Sequence, residues 1–347
     1  MTNSGNRYYP SDELLSNDDS SSHPFEQLTP DFILDSIDAL GYMTDGRILT
    51  LNSYENRVYQ IGLEDRQPII AKFYRPERWS PEQITEEHSF CFELAEAELP
   101  VVPPIAIDGQ SLFKAGDFSL SVFERKGGHA PELDNLDNLF TLGRFLGRIH
   151  AVGKAKPFVY RPQLNTQTFG FEKAQFVSEK AIPFELKTAY SSLVNDVLKV
   201  VDRQWESLDK IEFIRTQGDC HPGNILWRDD NPHFIDFDDA RMAPAIQDLW
   251  MLLSGDRTNR IKLLSEVVEG YQEFCDFDYS QIALIEPLRA LRMIQHTAWI
   301  AERWSDPAFP QAFPQFASVN YWEQHVLDLR AQFSELQEIA ENPLKLF

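Results

Sequence analysis

The fold of this chain is decided by one stretch, Gln217-Gly218-Asp219-Cys220-His221-Pro222-Gly223-Asn224, and by the two apolar segments after it, Ile225-Leu226-Trp227 and His233-Phe234-Ile235-Asp236-Phe237-Asp238. Two apolar segments that flank a polar turn predict a β-hairpin. A hairpin brings the outer ends of its strands together, so Asn224 and Asp236 should lie side by side. Asp219 falls in the loop just before the first strand.

These three polar residues suit phosphoryl transfer. An amide oxygen and a carboxylate held close together are hard ligands that suit Mg²⁺, and a separate carboxylate can accept a proton from a hydroxyl. The pattern D-x-x-x-x-N is weak alone, but with the hairpin and a strand-borne aspartate it is the layout of kinases. The sequence therefore predicts Asp219 as the catalytic base and Asn224 and Asp236 as metal ligands.

A kinase also needs a lysine on a strand for the α- and β-phosphates, paired with a glutamate on a helix. Lys72 lies in Ile69-Ile70-Ala71-Lys72-Phe73-Tyr74, where a lysine without a partner would be costly. Residues 81–97 are predicted to form a helix with Pro81 in its first turn. Either Glu86 or Glu87, near the start of that helix, could reach back to Lys72.

The chain divides into a β-rich part and a helical part. Leu142, Phe145, Leu146 and Ile149 mark a helical stripe after the break at Gly127-Gly128. Strands are predicted before that break, at 58–61, 69–74, 111–114 and 118–124. We therefore expect an α+β, bilobal, protein-kinase-like fold, with a small β-rich N-lobe at 28–126 and a larger, mainly helical C-lobe at 127–347. Residues 1–27, rich in serine and acidic residues, are expected to be a disordered tail.

The composition excludes several classes of function. Lys and Arg total 32 against 54 Asp and Glu, and the resulting net charge of −22 disfavours binding to nucleic acids or to anionic membranes. No segment approaches the roughly 18 apolar residues of a membrane helix, and no secretory signal is visible. The three cysteines, without a C-x-x-C pair, indicate a reducing cytoplasm. A cytoplasmic monomer is expected.

With these motifs in place, the sequence resembles the aminoglycoside phosphotransferase and choline kinase superfamily over about residues 28–330. It most resembles the bacterial stress response kinase A family (YihE-like protein kinases). The closer match lies in Leu51-Asn52-Ser53-Tyr54-Glu55-Asn56-Arg57-Val58-Tyr59, Lys72-Phe73-Tyr74-Arg75-Pro76-Glu77-Arg78-Trp79, Gly218-Asp219-Cys220-His221 and Gln247-Asp248-Leu249-Trp250-Met251-Leu252-Leu253. The resemblance implies ATP and Mg²⁺ as cofactors. It also implies phosphate transfer to Ser/Thr hydroxyls of proteins in a stress response, with possible autophosphorylation.

The resemblance also implies roles for further residues. It matches Glu87, rather than Glu86, to the helix glutamate, and residues 51–59 to the loop that covers the phosphates. That loop has no glycine, so Ser53 and Asn56 would contact the phosphates, although ordinary turn chemistry is the alternative for both. Residues 122–126 would form the inter-lobe hinge, in which Val122, Phe123, Glu124 and Arg125 bind adenine through their backbone. A core strand is the alternative for its hydrophobic part.

Two more positions follow from the resemblance. Asp248 would be a buried, structural aspartate that supports the catalytic loop. Gln217 stands where the superfamily usually has histidine. Because glutamine both donates and accepts hydrogen bonds, we expect altered pH behaviour or stability rather than inactivity.

Other functions compete with this interpretation. A small-molecule kinase of the choline, homoserine or aminoglycoside type is supported by the short interval between Asp236 and the next helix, near Gln247, because peptide-docking kinases use a long segment there. A pseudokinase would have lost one of the key residues, and none is lost here. Cys220 and His221 could be imagined as a nucleophile pair or half of a zinc site, but they lack an ordering residue and partners at ligand spacing.

Overall fold

The computed structural model describes residues 23–208 and 211–341. Its strands are β1 (Thr44–Thr50), β2 (Arg57–Leu63), β3 (Ile69–Phe73), β4 (Phe113–Ala115), β5 (Phe118–Glu124), β6 (Ile214–Thr216), β7 (Ile225–Arg228), β8 (Asn231–Phe234) and β9 (Arg241–Ala243). Its α-helices are α1 (Pro30–Asp38), α2 (Pro81–Glu96), α3 (Leu136–Lys154), α4 (Glu172–Phe176), α5 (Phe184–Glu206), α6 (Ile246–Leu249), α7 (Arg257–Tyr271), α8 (Ile285–Glu302), α9 (Ala308–Ala312) and α10 (Val319–Glu341). Short turns of other helical types lie at Gln167–Phe171, Val177–Ala181, Pro222–Asn224, Phe237–Asp239, Trp250–Leu252, Tyr279–Leu284 and Pro314–Ala317.

These elements form two compact units. The first, which we call the site unit, consists of Pro24–Gln163 and Glu212–Asp278. The second, the helical unit, contains the described residues of 164–211 and 279–341. Every residue predicted for catalysis or cofactor binding falls in the site unit. The predicted lobe boundary between residues 126 and 127 is a different division of the chain and stays a prediction.

A five-stranded antiparallel sheet, in the order β1-β2-β3-β5-β4, forms the N-terminal part of the site unit. Four of its strands coincide with the predicted ones. β1 was not foreseen because its residues are mostly exposed and lack a regular alternation of apolar and polar side chains. Lys72 lies on a central strand, opposite Val58 on one side and Ser121 on the other.

Ordered packing begins earlier than the predicted end of the N-terminal tail. Phe25, inside the expected tail at 1–27, is buried and stacks on Phe118 with ring centroids 5.8 Å apart. The aromatic ring supplies the apolar area that offsets the cost of ordering this segment. Residues 1–22 of the expected tail lie outside the described residues.

Helix α2 begins where the sequence predicts. The Ser80 hydroxyl accepts a hydrogen bond from the Gln83 backbone N–H at 3.2 Å, and Gln83 Oε1 accepts one from the Ser80 N–H at 2.9 Å. This reciprocal capping box, with Pro81 in the first turn, satisfies two N–H groups at the helix start. The helix therefore has a fixed origin from which its glutamates project.

Helices α3 and α7 pack with their backbones close together. A Cβ atom added at Gly143 or Gly147 of α3 would overlap the carbonyl oxygen of Val267 or Tyr271 on α7. A Cβ at Gly270 would likewise overlap Phe140 O. The glycines are thus required by the short distance between the two helices.

The helical unit is built around α5, α8 and α10. Residues 311–347 carried little signal in the sequence, yet most of them form α10 and bury its apolar side. Trp322 is fully buried and donates its indole N–H to Phe316 O at 3.1 Å. Leu329 and Leu336 extend the same buried row. Within residues 23–208 and 211–341, no helix combines the length and apolar character that crossing a membrane requires.

Candidate active site

The predicted hairpin is present and brings its ends together. Strands β7 and β8 pair antiparallel from Ile225 opposite Phe234 to Arg228 opposite Asn231. The Ile235 N–H donates to Asn224 O at 3.0 Å, which extends the pairing by one step. Asn224 and Asp236 are therefore neighbours across the open end of the hairpin, as the sequence predicts.

The loop before the hairpin is held from below by Asp248. This carboxylate is fully buried and accepts the backbone N–H groups of Gln217 at 2.7 Å and Gly218 at 2.8 Å. His150 Nε2 lies 3.0 Å from Asp248 Oδ2, and His150 Nδ1 lies 3.0 Å from Tyr271 Oη. Asp248 thus has the structural role that the resemblance implies.

Gln217 connects the loop that carries Asp219 to the residues that follow β8. Its side-chain amide N–H₂ donates to the carbonyl oxygens of Ile235 at 3.2 Å and Asp236 at 2.9 Å. Its Oε1 accepts the Asp219 N–H at 2.8 Å. A buried glutamine uses both ends of its amide here, so the replacement of the usual histidine leaves the loop anchored.

The donors at the hairpin end fit a magnesium ion. The Asn224 side-chain N–H₂ donates to Asp219 O at 3.0 Å. The oxygen of the same amide, Oδ1, is the atom that could bind a metal. The Asp236 carboxylate is 46% exposed, and its backbone takes a left-handed φ of +54°, a costly conformation that is typical of functional sites. Two oxygen ligands suffice because phosphate oxygens and water complete the magnesium shell. The described residues contain no cluster of three or more His, Cys, Asp or Glu side chains able to hold a metal.

Lys72 is buried and paired with two carboxylates. Its Nζ lies 2.9 Å from Asp236 Oδ1 and 3.2 Å from Asp238 Oδ1. Burial opposes the charged amine, but the two carboxylates outweigh it and raise the pKa of Lys72 well above its usual value. The lysine is therefore held as a cation beside Asp236, the predicted metal ligand.

The predicted ion pair between Lys72 and Glu87 does not form. Glu87 is buried on α2, and its Oε1 accepts a hydrogen bond from Cys91 Sγ at 3.4 Å. Burial raises the pKa of Glu87 to about 7, although the cations of Lys72 and Arg161 oppose that rise. Within the described chain, the ion pairs of Lys72 go to Asp236 and Asp238 instead.

Glu86, the other candidate partner, faces away from Lys72. Its carboxylate accepts three consecutive backbone N–H groups, from Val159 at 2.6 Å and from Tyr160 and Arg161 at 2.8 Å each. About two turns further on, Glu93 of the same helix pairs with Arg215 of β6 at 2.9 Å. These two anchors hold α2 against residues 159–161 and against the strand that precedes the Asp219 loop, which sets the direction in which Glu87 points.

One cavity of about 310 Å³ gathers most of the predicted site. Its volume falls within the range of small-molecule pockets. The predicted residues that line it are Ser53, Lys72, Glu87, Phe123, Glu124, Asn224 and Asp236. Asp219 is not among the lining residues, but it adjoins the cavity because its carbonyl holds the Asn224 amide.

Three predicted cofactor contacts are not brought to the cavity. Asn56 is buried, and its amide donates to Asp238 Oδ2 at 3.2 Å and accepts the Arg75 N–H at 3.0 Å, so both of its ends are used in packing. The Val122 side chain is buried in the sheet, and its carbonyl accepts the Ile105 N–H at 2.7 Å. Arg125 turns outward and donates to Gln60 Oε1 at 2.7 Å.

Sequence reasoning missed part of the lining. Cys91 lines the cavity although no motif included it, and Asn52 and Lys126 line it although neither was given a role of its own. The apolar lining includes Val58 and Ile70 from the sheet and Leu226 and Ile235 from the hairpin. The alternation of side chains along β2, β3 and β7 could have indicated two apolar walls suited to a flat ring.

Cys220 and His221 do not form a nucleophile pair. Cys220 is fully buried, and burial together with the Asp248 and Asp219 carboxylates raises the pKa of its thiol well above the usual value. His221 turns to the following loop, where its Nδ1 accepts the Gly223 N–H at 3.0 Å. A thiol held neutral in this way is a poor nucleophile.

Comparison with known proteins agrees with this geometry. A family model described as the phosphotransferase enzyme family matches residues 47–285. Stress response kinase A of Escherichia coli O157:H7 is 43% identical over 320 residues, which cover 92% of this chain and 97% of that protein. Serine/threonine protein kinase RdoA of Salmonella typhimurium is 44% identical over 315 residues, 90% of this chain and 95% of that protein.

A solved structure extends the comparison to the fold. Amicoumacin kinase hAmiN, in complex with AMP-PNP, Ca²⁺ and Ami, matches with a TM-score of 0.65 at 19% identity, over 83% of this chain and 91% of that one. At this identity the likeness concerns the fold alone, and it confirms the expected kinase-like fold. The chain is therefore a kinase that belongs to the phosphotransferase enzyme family and, within that family, groups with the stress response kinase A proteins.

Proposed function

We propose that this protein is an ATP- and Mg²⁺-dependent kinase that phosphorylates Ser or Thr side chains of proteins. The observation that carries the proposal is the meeting of Lys72, Asn224 and Asp236 at one cavity, with Asp219 joined to it through Asn224. These four residues supply the cation, the oxygen ligands for a metal and the base that phosphoryl transfer from a nucleotide requires.

The cavity suits ATP in one orientation. The apolar residues Val58, Ile70 and Leu226 would enclose the adenine, and Lys72 at the polar end would neutralise the phosphates. Asn224 and Asp236 would hold Mg²⁺, which supplies positive charge to the β- and γ-phosphates when bound. The acidic surroundings would otherwise repel a polyphosphate, so cations at this end are necessary for binding.

Asp219 would act on the acceptor hydroxyl. Its carboxylate orients the hydroxyl and takes its proton as the oxygen forms a bond to the γ-phosphorus and the bond to the β–γ bridging oxygen breaks. The Gln217 and Asn224 side chains hold the Asp219 backbone at its N–H and C=O. These two hydrogen bonds hold the backbone that carries the base in one position.

The choice of a protein acceptor is supported by the names of the relatives. A chain about 43% identical is called a stress response kinase, and another is called a serine/threonine protein kinase. The proposal therefore places this kinase in a stress response, in which it would phosphorylate other proteins and itself.

A small-molecule kinase is the second candidate, favoured by one feature of the site unit. Between Asp236 and α6, the chain forms only the turn Phe237–Asp239 and the short strand β9. This leaves no extended segment on which a peptide could dock. Solved structures with the same fold include an aminopropanol kinase and choline kinases.

The test uses purified protein with γ-labelled ATP and Mg²⁺, comparing wild type with Asp219→Asn. Acceptors are the protein itself, generic protein substrates and a panel of amino alcohols. Label on protein that is lost in Asp219→Asn supports the proposal. Label confined to an amino alcohol overturns the protein-kinase assignment in favour of the second candidate. Equal activity of the two proteins would refute the role of Asp219.

A further inference from the structure

Lys72 has a partner that the kinase layout does not foresee. Asp238 stands two residues after the metal ligand Asp236, and its Oδ1 lies 3.2 Å from Lys72 Nζ. The side chain of Asp238 is 5% exposed, whereas that of Asp236 is 46% exposed. Of the two carboxylates that bind Lys72, one faces the cavity and the other is enclosed by protein.

Asp238 is held by hydrogen bonds at Oδ2 and at its backbone carbonyl, whereas its Oδ1 makes the ion pair with Lys72 and, among the described residues, no hydrogen bond. Its Oδ2 accepts hydrogen bonds from Arg78 Nη1 and from Asn56 Nδ2, the latter at 3.2 Å. Its backbone carbonyl accepts Arg161 Nη2 at 2.5 Å. Burial opposes its charge, but Lys72, Arg78 and Arg161 together hold the pKa of Asp238 below its usual value. The carboxylate of Asp238 is therefore buried, held in place and in contact with the cations of Lys72 and Arg78.

The other two acids near Lys72 are less suited to hold it. Asp236 would share its negative charge with Mg²⁺, which weakens its attraction for the lysine. Glu87 makes no ion pair with Lys72 in the described chain, hydrogen-bonds Cys91 and is partly protonated near neutral pH. Of the three acids, only Asp238 both contacts Lys72 and is enclosed by protein.

We propose that Asp238 is the positioning residue of Lys72, in the place that the kinase layout gives to the helix glutamate. This inference rests on the proposed function, since it assigns the residue that aims the phosphate-binding lysine. Asn56 gives it a second consequence. The loop at residues 51–56 is bonded to the same carboxylate, so the loop over the cavity and the lysine inside it share one anchor.

The first experiment needs no nucleotide and therefore does not depend on the proposed function. Full-length protein is treated with a limiting amine-reactive succinimidyl ester, and acylation of Lys72 is followed by peptide mass spectrometry. Asp238→Asn should raise the acylation rate of Lys72 about tenfold, because the lost contact no longer holds the amine in its buried position. Asp239→Asn is the matched control, since Asp239 pairs with Arg78 and Arg241 but does not contact Lys72. The acylation rate of Lys72 in Asp239→Asn should stay within about threefold of the wild-type rate.

The second experiment measures MgATP affinity by calorimetry in a double-mutant cycle. Asp238→Asn should weaken MgATP binding about tenfold in the wild-type background and less than about threefold when Lys72 is already Met. A merely structural Asp238 would give the same loss in both backgrounds. Thermal unfolding of each variant reports whether it is folded.

Each outcome decides the inference. Unchanged acylation in Asp238→Asn, or a larger rise in Glu87→Gln than in Asp238→Asn, would overturn it. Equal losses of MgATP affinity with and without Lys72 would also overturn it. If the acylation result is as expected but the wild-type protein binds no MgATP, the positioning of Lys72 stands and the proposed function fails.

Discussion

At the scale of single residues, Glu87 is the group whose charge should change near neutral pH. Its carboxyl is buried, and burial raises its pKa from 4.5 to about 7. Between these values the folded chain binds more protons than the unfolded chain, so the free energy of unfolding falls as the pH rises through this window. The nearby His88 has the opposite effect, because burial lowers its pKa to about 3 and favours folding as the pH rises towards 6.5.

Replacement of Glu87 by Gln should isolate its contribution. Glutamine resembles the protonated glutamate and does not ionise. The free energy of unfolding of the variant, minus that of wild type, should therefore increase by about 2 kcal/mol from pH 5 to pH 8. Urea unfolding at the two pH values measures the difference, from which His88 cancels because both proteins keep it. Glu96→Gln, at an exposed position of the same helix, is the control and should show no such trend. A flat difference for Glu87→Gln would mean that Glu87 is charged throughout.

At the scale of the elements, local patterns predict what local contacts build. The hairpin β7–β8 could be read from the sequence because its two strands and turn are contiguous, and Asn224 and Asp236 followed from it. Strand β1 could not, because its mostly exposed residues carry no regular alternation of apolar and polar side chains. The direction of the Glu87 side chain could not be predicted either, because it depends on Glu86 and Glu93, whose partners Val159 and Arg215 lie far away along the chain.

The packing of α3 on α7 gives a prediction at this scale. Gly143→Ala should destabilise the protein by about 3 kcal/mol, because the added methyl overlaps the Val267 carbonyl and must separate the helices. The gain in helix propensity, about 1 kcal/mol, offsets only part of this cost. Gly127→Ala is the control, since its nearest neighbour would be 3.8 Å away. Thermal unfolding that ranks the two variants in the reverse order would contradict this packing.

At the scale of the whole molecule, the candidate site belongs to one compact unit. The site unit supplies the lysine, the predicted base, the predicted metal ligands and the residues that support them, between Ser53 and Asp248. The sequence predicted these groups because each lies in a motif with a local signature. It did not predict the partners of Lys72, because the kinase layout pointed to a helix glutamate, whereas the tertiary packing brings Asp236 and Asp238 to the lysine.

Because the site is formed by folded chain segments that are distant in sequence, MgATP should stabilise the whole protein by binding only its folded form. At 100 times its dissociation constant, MgATP adds about 2.7 kcal/mol and should raise the Tm by several degrees. Asp219→Asn should keep this shift, since the cavity lining excludes Asp219, whereas Asp236→Ala should lose most of it together with a metal oxygen. ATP with EDTA is the control and should stabilise less than MgATP. An equal shift without magnesium, or a full shift in Asp236→Ala, would remove Asp236 from the metal site.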